Sequence, residues 1–244
     1  MRAMILAAGL GTRLRPLTDD RPKALVELNG RTLLHITIER LKSFGIREVI
    51  VNVHHFADLV VSYLKANDNF GIHVEISRED DLLLDTGGGL KKAGWFFAGD
   101  EPFVLHNVDI LSDIPLLQMA EAHRRNKVLA TLAVQKRETS RYLLFDEHMH
   151  LCGRRLVKEG CEEIARSAPS LEPLAFSGIH VISPRLLLKI HEHGVFSIID
   201  VYLRLAAQGE NIAAFHADEY YWRDLGRPKD LEEACKDLKN RKSI

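Results

Sequence analysis

The sequence predicts an α/β protein built on a Rossmann-like, mostly parallel sheet with helices on both faces. Two observations lead to this class. In the first half of the chain, short apolar runs typical of strands alternate with amphipathic runs typical of helices, and glycine-rich or polar loops follow several of the strands. Alternating strands and helices require right-handed crossovers, which set the strands parallel and cover both faces of the sheet. Ligands of such sheets bind in the loops at the carboxyl ends of the strands.

The elements of the first half follow in chain order from local patterns. Met4-Ile5-Leu6-Ala7 is an apolar run that ends at glycines, as expected of a buried strand. Short apolar, β-branched or alternating runs predict further strands at 48–53, 72–76, 102–106 and 128–134. Apolar residues at helical spacing predict helices at 32–44, 58–66, 90–97 and 114–125.

The second half is less regular. Residues 141–145 and 148–152 indicate a hairpin, and further strands are predicted at 175–182, 211–215 and 220–222. Helices are predicted at 184–191, 197–207 and 228–239, the last with Pro228 in its first turn. No Ser- or Gly-rich linker and no internal repeat divides the sequence. We therefore expect one domain over residues 1–244, with halves at 1–135 and 136–244.

The charge balance limits the classes of partner. The 244 residues carry 33 basic and 34 acidic side chains, a net charge of −1. This balance gives no electrostatic reason to expect nucleic acid or an anionic membrane as partner. An anionic ligand must then be held by local charge and backbone donors.

The cysteine and hydropathy patterns indicate a soluble cytoplasmic protein. Cys152, Cys161 and Cys235 lack the spacing of metal or redox sites and are expected to be thiols of a reducing compartment. The apolar run near the start is too short and lacks the cleavage site of a signal peptide. No stretch of about 18 apolar residues, the length of a membrane span, occurs in the sequence.

The loop after the first predicted strand has the composition of an anion-binding site. Gly9 and Gly11 allow a sharp turn and a close approach of the backbone to a ligand. Consecutive amides in such a turn form a concavity for anions, to which Arg13 and Lys23 add positive charge. Leu14 stands where a dinucleotide fingerprint requires its third glycine, and no P-loop signature occurs. The pattern therefore predicts a polyphosphate site of another kind.

From Leu6 through Lys23 the sequence resembles the G-x-G-T-R-L-x-P-L-T…P-K signature of the sugar-phosphate nucleotidylyltransferases. Four later segments continue the resemblance: Asp85-Thr86-Gly87-Gly88-Gly89, Asn107-Val108-Asp109, Phe176-Ser177-Gly178-Ile179 and Trp222-Arg223-Asp224-Leu225-Gly226-Arg227-Pro228. The resemblance covers roughly residues 1–239 and implies a nucleotide-diphospho-sugar transferase fold, with a nucleotide-binding half at 1–135 and a sugar-phosphate-side half at 136–244. The subfamilies it most resembles are the N-acetylmuramate-1-phosphate uridylyltransferases, followed closely by mannose- and heptose-1-phosphate guanylyltransferases.

The resemblance implies transfer of a nucleotidyl group from a nucleoside triphosphate to a sugar 1-phosphate, with release of pyrophosphate. Two anions must approach each other, so catalysis depends on positioning and charge neutralisation. Hydrated Mg²⁺ held by one or two carboxylates suits this task, and Asp109 and Asp224 are the expected metal ligands. Arg13, Lys23 and Asp109 are the implied catalytic residues. Arg13 is expected on the β- and γ-phosphates, and Lys23 between the α-phosphate and the sugar phosphate.

The resemblance also assigns residues to each substrate. The nucleotide-binding residues it implies are Leu6, Ala7, Ala8, Gly9, Gly11, Thr12, Arg13, Asp85, Thr86, Gly87 and Gly88. The sugar-phosphate-binding residues it implies are Lys23, Asn107, Glu172, Ser177 and Gly178. The expected protein is a monomer or a small homo-oligomer, and the base and the sugar both stay open.

Val108 departs from the family pattern, which places glycine before the metal-binding aspartate. Its side chain either crowds the sugar phosphate or packs into the core below the sheet. This departure keeps open a nucleotide-binding regulatory module without turnover. A cytidylyltransferase acting on another alcohol phosphate is a second alternative, and an NAD oxidoreductase is disfavoured by Leu14.

Two groups of rings are expected to have structural roles. His54 and His55 are adjacent, so their side chains point in opposite directions on an extended segment, and we expect no histidine-ligated transition metal. Trp95, Phe96 and Phe97 are expected in the core and not at a stacking site.

Overall fold

The computed structural model describes residues 1–240, which form fourteen strands and six α-helices joined in part by 3-10 turns. The strands are β1 Ala3–Leu6, β2 Glu27–Leu28, β3 Arg31–Thr32, β4 Glu48–Val53, β5 His73–Arg78, β6 Phe103–Asn107, β7 Ile110–Ser112, β8 Ala130–Gln135, β9 Arg141–Phe145, β10 Leu151–Leu156, β11 Cys161–Ile164, β12 Glu172–Ile182, β13 Ile212–His216 and β14 Trp222–Asp224. The helices are α1 Leu33–Ser43, α2 Ala57–Ala66, α3 Asp85–Ala93, α4 Leu116–Asn126, α5 Ile198–Ala207 and α6 Pro228–Asn240.

Ten of these strands form one mixed sheet with a parallel centre. Strands β5, β4, β1 and β6 lie side by side and are all parallel. β12 continues the sheet antiparallel to β6, and β9, β10 and β11 follow as antiparallel neighbours. β8 pairs with β12 and with β13. The prediction of a parallel core is confirmed, as is the hairpin of β9 and β10.

Helices cover both faces of the sheet. Ala3 and Ile5 of β1 belong to one apolar cluster, which also contains buried residues of α1, α2, α4 and α6. Met4, the residue between them, belongs to a second cluster together with α3 and α5. Because successive side chains of a strand point to opposite faces, the two clusters are separate layers. The expected three-layer arrangement is therefore confirmed.

The first helix shows how local sequence sets an element. Thr32 caps α1, its side chain accepting a hydrogen bond of 3.1 Å from the backbone N–H of His35. Leu34, Ile38 and Leu41 recur at helical spacing and are fully buried. The predicted helix at 32–44 agrees with α1 to within one residue at each end.

The predicted helix at 90–97 begins too late, because α3 already starts at Asp85 and runs through three consecutive glycines. Glycine lowers helix propensity, so the sequence alone does not favour a helix there. A Cβ at Gly87 would lie 2.5 Å from the ring of Phe196, and one at Gly88 would lie 2.5 Å from the carbonyl oxygen of Gly194. Close packing of this helix against the segment before α5 thus requires glycine.

Other differences concern short elements. The strand expected at 220–222 lies at Trp222–Asp224, and the helix expected at 184–191 is a 3-10 turn at Pro184–Lys189. Four short strands were not predicted: β2, β3, β7 and β11. Of these, β7 has the largest consequence, because it pairs antiparallel with β14 and brings a late segment of the chain beside the end of β6.

Strand β12 joins the two parts of the sheet through a bend at Gly178. Its first residues, Glu172–Ala175, pair with β9, and Ile179–Ile182 pair with β6. Gly178 has a φ of +74°, and a Cβ there would lie 2.8 Å from Cγ1 of Ile110. The register of β12 against β8 shifts at this point. Within the described residues, no helix is long and apolar enough to cross a bilayer.

Candidate functional site

A cavity of about 410 Å³ lies at the carboxyl ends of β1 and β6. Its walls include the end of β1 with the loop that follows it (residues 6–9), Asn107 at the end of β6, Asp109 just beyond it, and Asp85 and Thr86 at the start of α3. Crossover connections bring these segments to one edge of the parallel core, where ligands of open α/β sheets bind. The cavity therefore lies at the edge of the sheet where the sequence predicted ligand binding.

Lys23 and Asp109 form an ion pair on this edge, between Nζ and Oδ2. Lys23 is held by a 3-10 turn at Lys23–Leu25 that follows Pro22, and Asp109 follows directly on the buried Val108. Both paired side chains are only 13% exposed. A charge so well shielded from water needs a partner, so each residue supplies the counter-charge that the other requires.

Asp224 lies beside this pair through the β7–β14 ladder. Its Cα is in register with Ile110, and the backbone N–H of Leu225 donates a 2.8 Å hydrogen bond to the carbonyl oxygen of Asp109. The Asp224 carboxylate accepts the backbone N–H of Gly226 at 2.6 Å. Burial raises the pKa of Asp224 above its ordinary value, and the negative charge of Asp109 raises it further, while Lys23 lowers it. Two carboxylates that repel each other in this way favour a bound cation.

Arg13 completes the charged group from the loop after β1. Gly11 takes a φ of +66°, and the Thr18 hydroxyl donates a 2.9 Å hydrogen bond to its carbonyl oxygen, which fixes the turn. Leu14 is fully buried and anchors the same turn to the core. The guanidinium Nη2 of Arg13 lies 3.9 Å from Oδ2 of Asp224, and the side chain is 56% exposed. The residues singled out for charge chemistry, Arg13, Lys23, Asp109 and Asp224, therefore lie together.

The donor set suits a hard divalent cation. Among residues 1–240, no three His, Cys, Asp or Glu side chains form a cluster that could enclose a metal ion. Asp109 and Asp224 provide two carboxylates, with the negative charge of one raising the pKa of the other. Magnesium binds through one or two carboxylates and keeps several waters, so two ligands without a third match its requirements.

The residues predicted for the nucleotide divide into three groups. Six of them line the cavity: Leu6, Ala7, Ala8, Gly9, Asp85 and Thr86. Gly11, Thr12 and Arg13 lie further along the loop, outside its wall. Gly87 and Gly88 face the other way, since both backbone N–H groups donate to the carbonyl oxygen of Phe196, at 3.0 and 3.3 Å. Their amides are thus occupied within the protein.

A second cavity of about 490 Å³ adjoins the first and shares Asp85, Thr86 and Asn107 with it. Residues of β9, β10, β12 and α5 form much of the rest of its wall, among them Arg141 and Tyr142. The local sequence did not indicate that Arg141 and Tyr142 border a binding site, because a surface arginine in a hairpin has no distinguishing pattern. Only the fold brings them to the cleft.

The residues predicted for the sugar phosphate are only partly at the cleft. Lys23 and Asn107 line the first cavity. Glu172 pairs with Lys136 at 2.9 Å, and Ser177 is fully buried, its carbonyl oxygen accepting the indole N–H of Trp222 at 2.7 Å. Gly178 forms the bend of β12. These last three line neither cavity, and their positions give them structural contacts instead.

Val108 packs in the core while bordering the first cavity. It is 3% exposed and belongs to the apolar cluster that contains α1. Its N–H donates to the carbonyl oxygen of Leu6 at 3.1 Å, and its own carbonyl oxygen accepts the Thr37 hydroxyl at 3.3 Å. Of the two alternatives for this residue, the contacts favour the core.

Comparison with known proteins gives the same family over nearly the whole chain. The sequence profile of the nucleotidyl transferase family matches residues 2–241. The N-acetylmuramate alpha-1-phosphate uridylyltransferase of Caulobacter vibrioides is 35% identical over 237 residues, covering 93% of this chain and 92% of that protein. The mannose-1-phosphate guanyltransferase of Yarrowia lipolytica is 30% identical over 240 residues, covering 95% of this chain and 62% of that protein. A UDP-glucose pyrophosphorylase crystallised with UDP-glucose shares the fold, with a TM-score of 0.78 at 20% identity over 98% of this chain and 99% of its own.

Proposed function

The chain belongs to the nucleotidyl transferase family, and on that basis we propose that it transfers a nucleotidyl group from a nucleoside triphosphate to a sugar 1-phosphate, giving an NDP-sugar and pyrophosphate. The observation that carries the proposal is the charged group of Arg13, Lys23, Asp109 and Asp224 at the edge of the first cavity. Two relatives at 30% identity or more are named for transfer to sugar 1-phosphates, which supports the same reaction here.

The two cavities accommodate the two substrates. The nucleotide occupies the first cavity, where the backbone of residues 6–9 lies close to the ligand. The sugar occupies the second cavity, so that its phosphate meets the nucleotide near the shared wall of Asp85, Thr86 and Asn107. An oxygen of the sugar phosphate attacks the α-phosphorus, and the bond from that phosphorus to the bridging oxygen breaks. Pyrophosphate leaves with the bonding electrons.

The side chains of the site neutralise charge and move no proton. A sugar-phosphate oxygen is already anionic at neutral pH, so the reaction needs no general base. Lys23 lies between the two phosphates as a point charge, and Arg13 stabilises the departing pyrophosphate. Asp109 and Asp224 would hold Mg²⁺, which would neutralise charge on the approaching phosphates.

Pyrophosphate release tests the proposal. Each of UTP, GTP, dTTP and CTP is combined with Mg²⁺ and a panel of hexose, heptose and N-acetylmuramate 1-phosphates. The pair to test first is UTP with N-acetylmuramate 1-phosphate, since this chain spans 92% of the relative named for that reaction and 62% of the guanyltransferase. We expect release that depends on one triphosphate and one sugar phosphate together.

A variant and a measurement of triphosphate binding sharpen the result. In Asp109→Asn the carboxylate that pairs with Lys23 is replaced by a neutral amide, and turnover should fall at least about 100-fold. Triphosphate binding without release on any sugar phosphate would contradict the proposed transfer and support a nucleotide-binding regulatory module. Full activity in Asp109→Asn would show that the Asp109 carboxylate is not needed for the reaction.

A further inference from the structure

Two segments that are distant in sequence form parts of the wall of the first cavity. One is the loop after β1, residues 6–9, and the other is the segment at 83–86 that enters α3. A nucleotide that contacts both segments binds well only when their separation is fixed. Something in the fold must therefore set this separation.

A chain of three hydrogen bonds runs from one segment to the other. The backbone N–H of Ala7 donates to Oδ1 of Asn52 at 2.8 Å. The Asn52 amide nitrogen donates to Oε1 of Glu79 at 2.7 Å, and the backbone N–H of Leu84 donates to Oε2 of Glu79 at 2.8 Å. The three bonds converge on Glu79, whose two carboxylate oxygens each accept one hydrogen bond.

Both side chains are buried although they are polar. Asn52 is 2% exposed and Glu79 is 1% exposed. A buried carboxylate is costly unless its oxygens are hydrogen-bonded, and here both are. Leu84 is the residue before α3, so the Glu79 carboxylate lies at the positive end of that helix. Because neither segment can shift without leaving a buried polar group unpaired, the pair resists displacement.

Helix α3 also packs directly against the pair. A Cβ at Gly89 would lie 2.8 Å from Oε1 of Glu79 and 2.9 Å from the amide nitrogen of Asn52. Only a glycine allows this approach, so the helix and the two polar side chains form one closely packed unit. The loop after β1 is attached to that unit through Ala7.

We propose that Asn52 and Glu79 are positioning residues that fix the separation of the two nucleotide-contacting segments and thereby set affinity for the triphosphate. This rests on the proposed function, because it assigns the first cavity to the nucleotide. Asn52 borders the cavity and Glu79 lies behind it. Their effect therefore reaches the nucleotide through backbone placement.

Single substitutions break the chain of hydrogen bonds at one link. In Glu79→Gln the amide offers one acceptor and one donor, so it cannot accept from both Asn52 and Leu84. In Asn52→Asp the new carboxylate still accepts from Ala7 but has no hydrogen to donate to Glu79. Each change should raise KM for the triphosphate about tenfold. In Glu79→Gln, whose side chain does not line the cavity, kcat and KM for the sugar phosphate should stay within about twofold.

The double swap Asn52→Asp with Glu79→Gln restores every link with the polarity of the middle bond reversed. The carboxylate introduced at position 52 then accepts from Ala7 and from the amide introduced at position 79, and the oxygen of that amide accepts from Leu84. The triphosphate KM should return to within about threefold of the wild-type value, a non-additive recovery that independent effects do not give. An unchanged triphosphate KM in both single variants, or no recovery in the double swap, would overturn the proposal.

Amide hydrogen exchange tests the same proposal without requiring turnover. Ala7 donates its hydrogen bond to Asn52 and not to Glu79. Glu79→Gln should nevertheless speed exchange at Ala7 as well as at Leu84, because the single amide oxygen leaves either Asn52 or Leu84 without an acceptor and loosens the connected bonds. Exchange that rises at Leu84 alone would show that the bonds are independent. If the wild-type protein turns over no substrate pair, the proposed function fails, and this measurement with the dissociation constant for UTP still decides the positioning role.

Thr131→Val is a matched control. It removes a buried hydrogen bond of 3.0 Å between the Thr131 hydroxyl and Nδ1 of His123, in residues that line neither cavity. We expect it to lower the melting temperature without changing KM for the triphosphate. An equal rise in that KM would assign the effects of the Glu79 and Asn52 variants to general loss of stability.

Discussion

At the scale of single residues, the site combines charges that oppose one another. Asp224 is the clearest case, because burial raises its pKa and the neighbouring Asp109 raises it further. Lys23 and Arg13 offset this only in part. The folded protein therefore holds the Asp224 carboxylate at a cost in stability, and a phosphate-bound cation is the kind of ligand that removes this cost.

Asp224→Asn should stabilise the metal-free protein at neutral pH while lowering turnover. A raised carboxyl pKa means that the folded state keeps a proton that the unfolded state has already lost. The contribution of Asp224 to stability therefore falls as pH rises from its ordinary pKa through its raised one, and stays low above that. Asparagine carries no charge and keeps the acceptor for Gly226.

Melting temperatures in metal-free buffer test whether Asp224→Asn stabilises the protein as predicted. The advantage of Asp224→Asn over wild type should be larger at pH 7 than at about pH 3, where the Asp224 carboxyl group is largely protonated in both the folded and the unfolded state. A variant less stable than wild type at pH 7 would show that the attraction of Lys23 and Arg13 outweighs burial and repulsion.

Val108→Gly tests whether this residue belongs to the core or obstructs the substrate. The Val108 side chain is 3% exposed within an apolar cluster, so its removal should lower the free energy of unfolding by about 3 kcal/mol. Pyrophosphate release per folded molecule should not rise with any sugar phosphate. Urea denaturation and the substrate panel measure the two quantities. A gain in turnover with little loss of stability would favour crowding.

At the scale of elements, local pattern predicted the strands and helices that have a clear period. α1 and β4 lie close to their predicted positions because their apolar residues repeat with helical or strand spacing. The start of α3 could not be predicted, since three glycines oppose a helix locally and tertiary packing alone forms one. β7 has three residues, too few for a period, although it places Asp224 beside Asp109.

Gly87→Ala tests this account of α3. Its Cβ would lie 2.5 Å from the Phe196 ring and 2.9 Å from the Phe196 carbonyl oxygen, so the segment before α5 must move. We expect a loss of about 1–3 kcal/mol in the free energy of unfolding, in spite of the better helix propensity of alanine. Chemical denaturation gives the value.

Gly94→Ala is the matched control for that change. It follows α3 directly, and its Cβ would meet the closest atom, a methyl of Leu187, at an ordinary 3.8 Å. The backbone of Gly94 has a negative φ of −56°, which alanine adopts without strain. The substitution should be neutral or slightly stabilising. Equal losses at Gly87 and Gly94 would contradict the packing explanation.

At the scale of the whole molecule, residues predicted from motifs form a site only if the chain brings them to the same edge of the sheet. Arg13, Lys23 and Asp109 follow β1 and β6 and could be placed from the parallel core, because such strands end at one edge. The positions of Arg141 and Tyr142 at the cleft could not be predicted. They result from the bend of β12 at Gly178, which directs the antiparallel strands toward the cleft. Glu172, suggested for the sugar phosphate by the family resemblance, lines neither cavity and pairs with Lys136, so its role stays a prediction.

Mg²⁺ should stabilise the whole fold, because the two carboxylates belong to distant parts of the chain. Asp109 follows β6 and Asp224 ends β14, so a cation held by both is released when the chain unfolds. A ligand that binds only the folded state adds about 1.4 kcal/mol for each tenfold excess over its dissociation constant, or roughly 3–6 °C in melting temperature for a chain of this size. Thermal unfolding across a Mg²⁺ titration, at constant ionic strength, should show this rise in wild type and lose most of it in Asp224→Asn. Since that variant starts from a higher melting temperature, the two curves should converge as Mg²⁺ increases, whereas an equal slope in both would place the bound ion elsewhere.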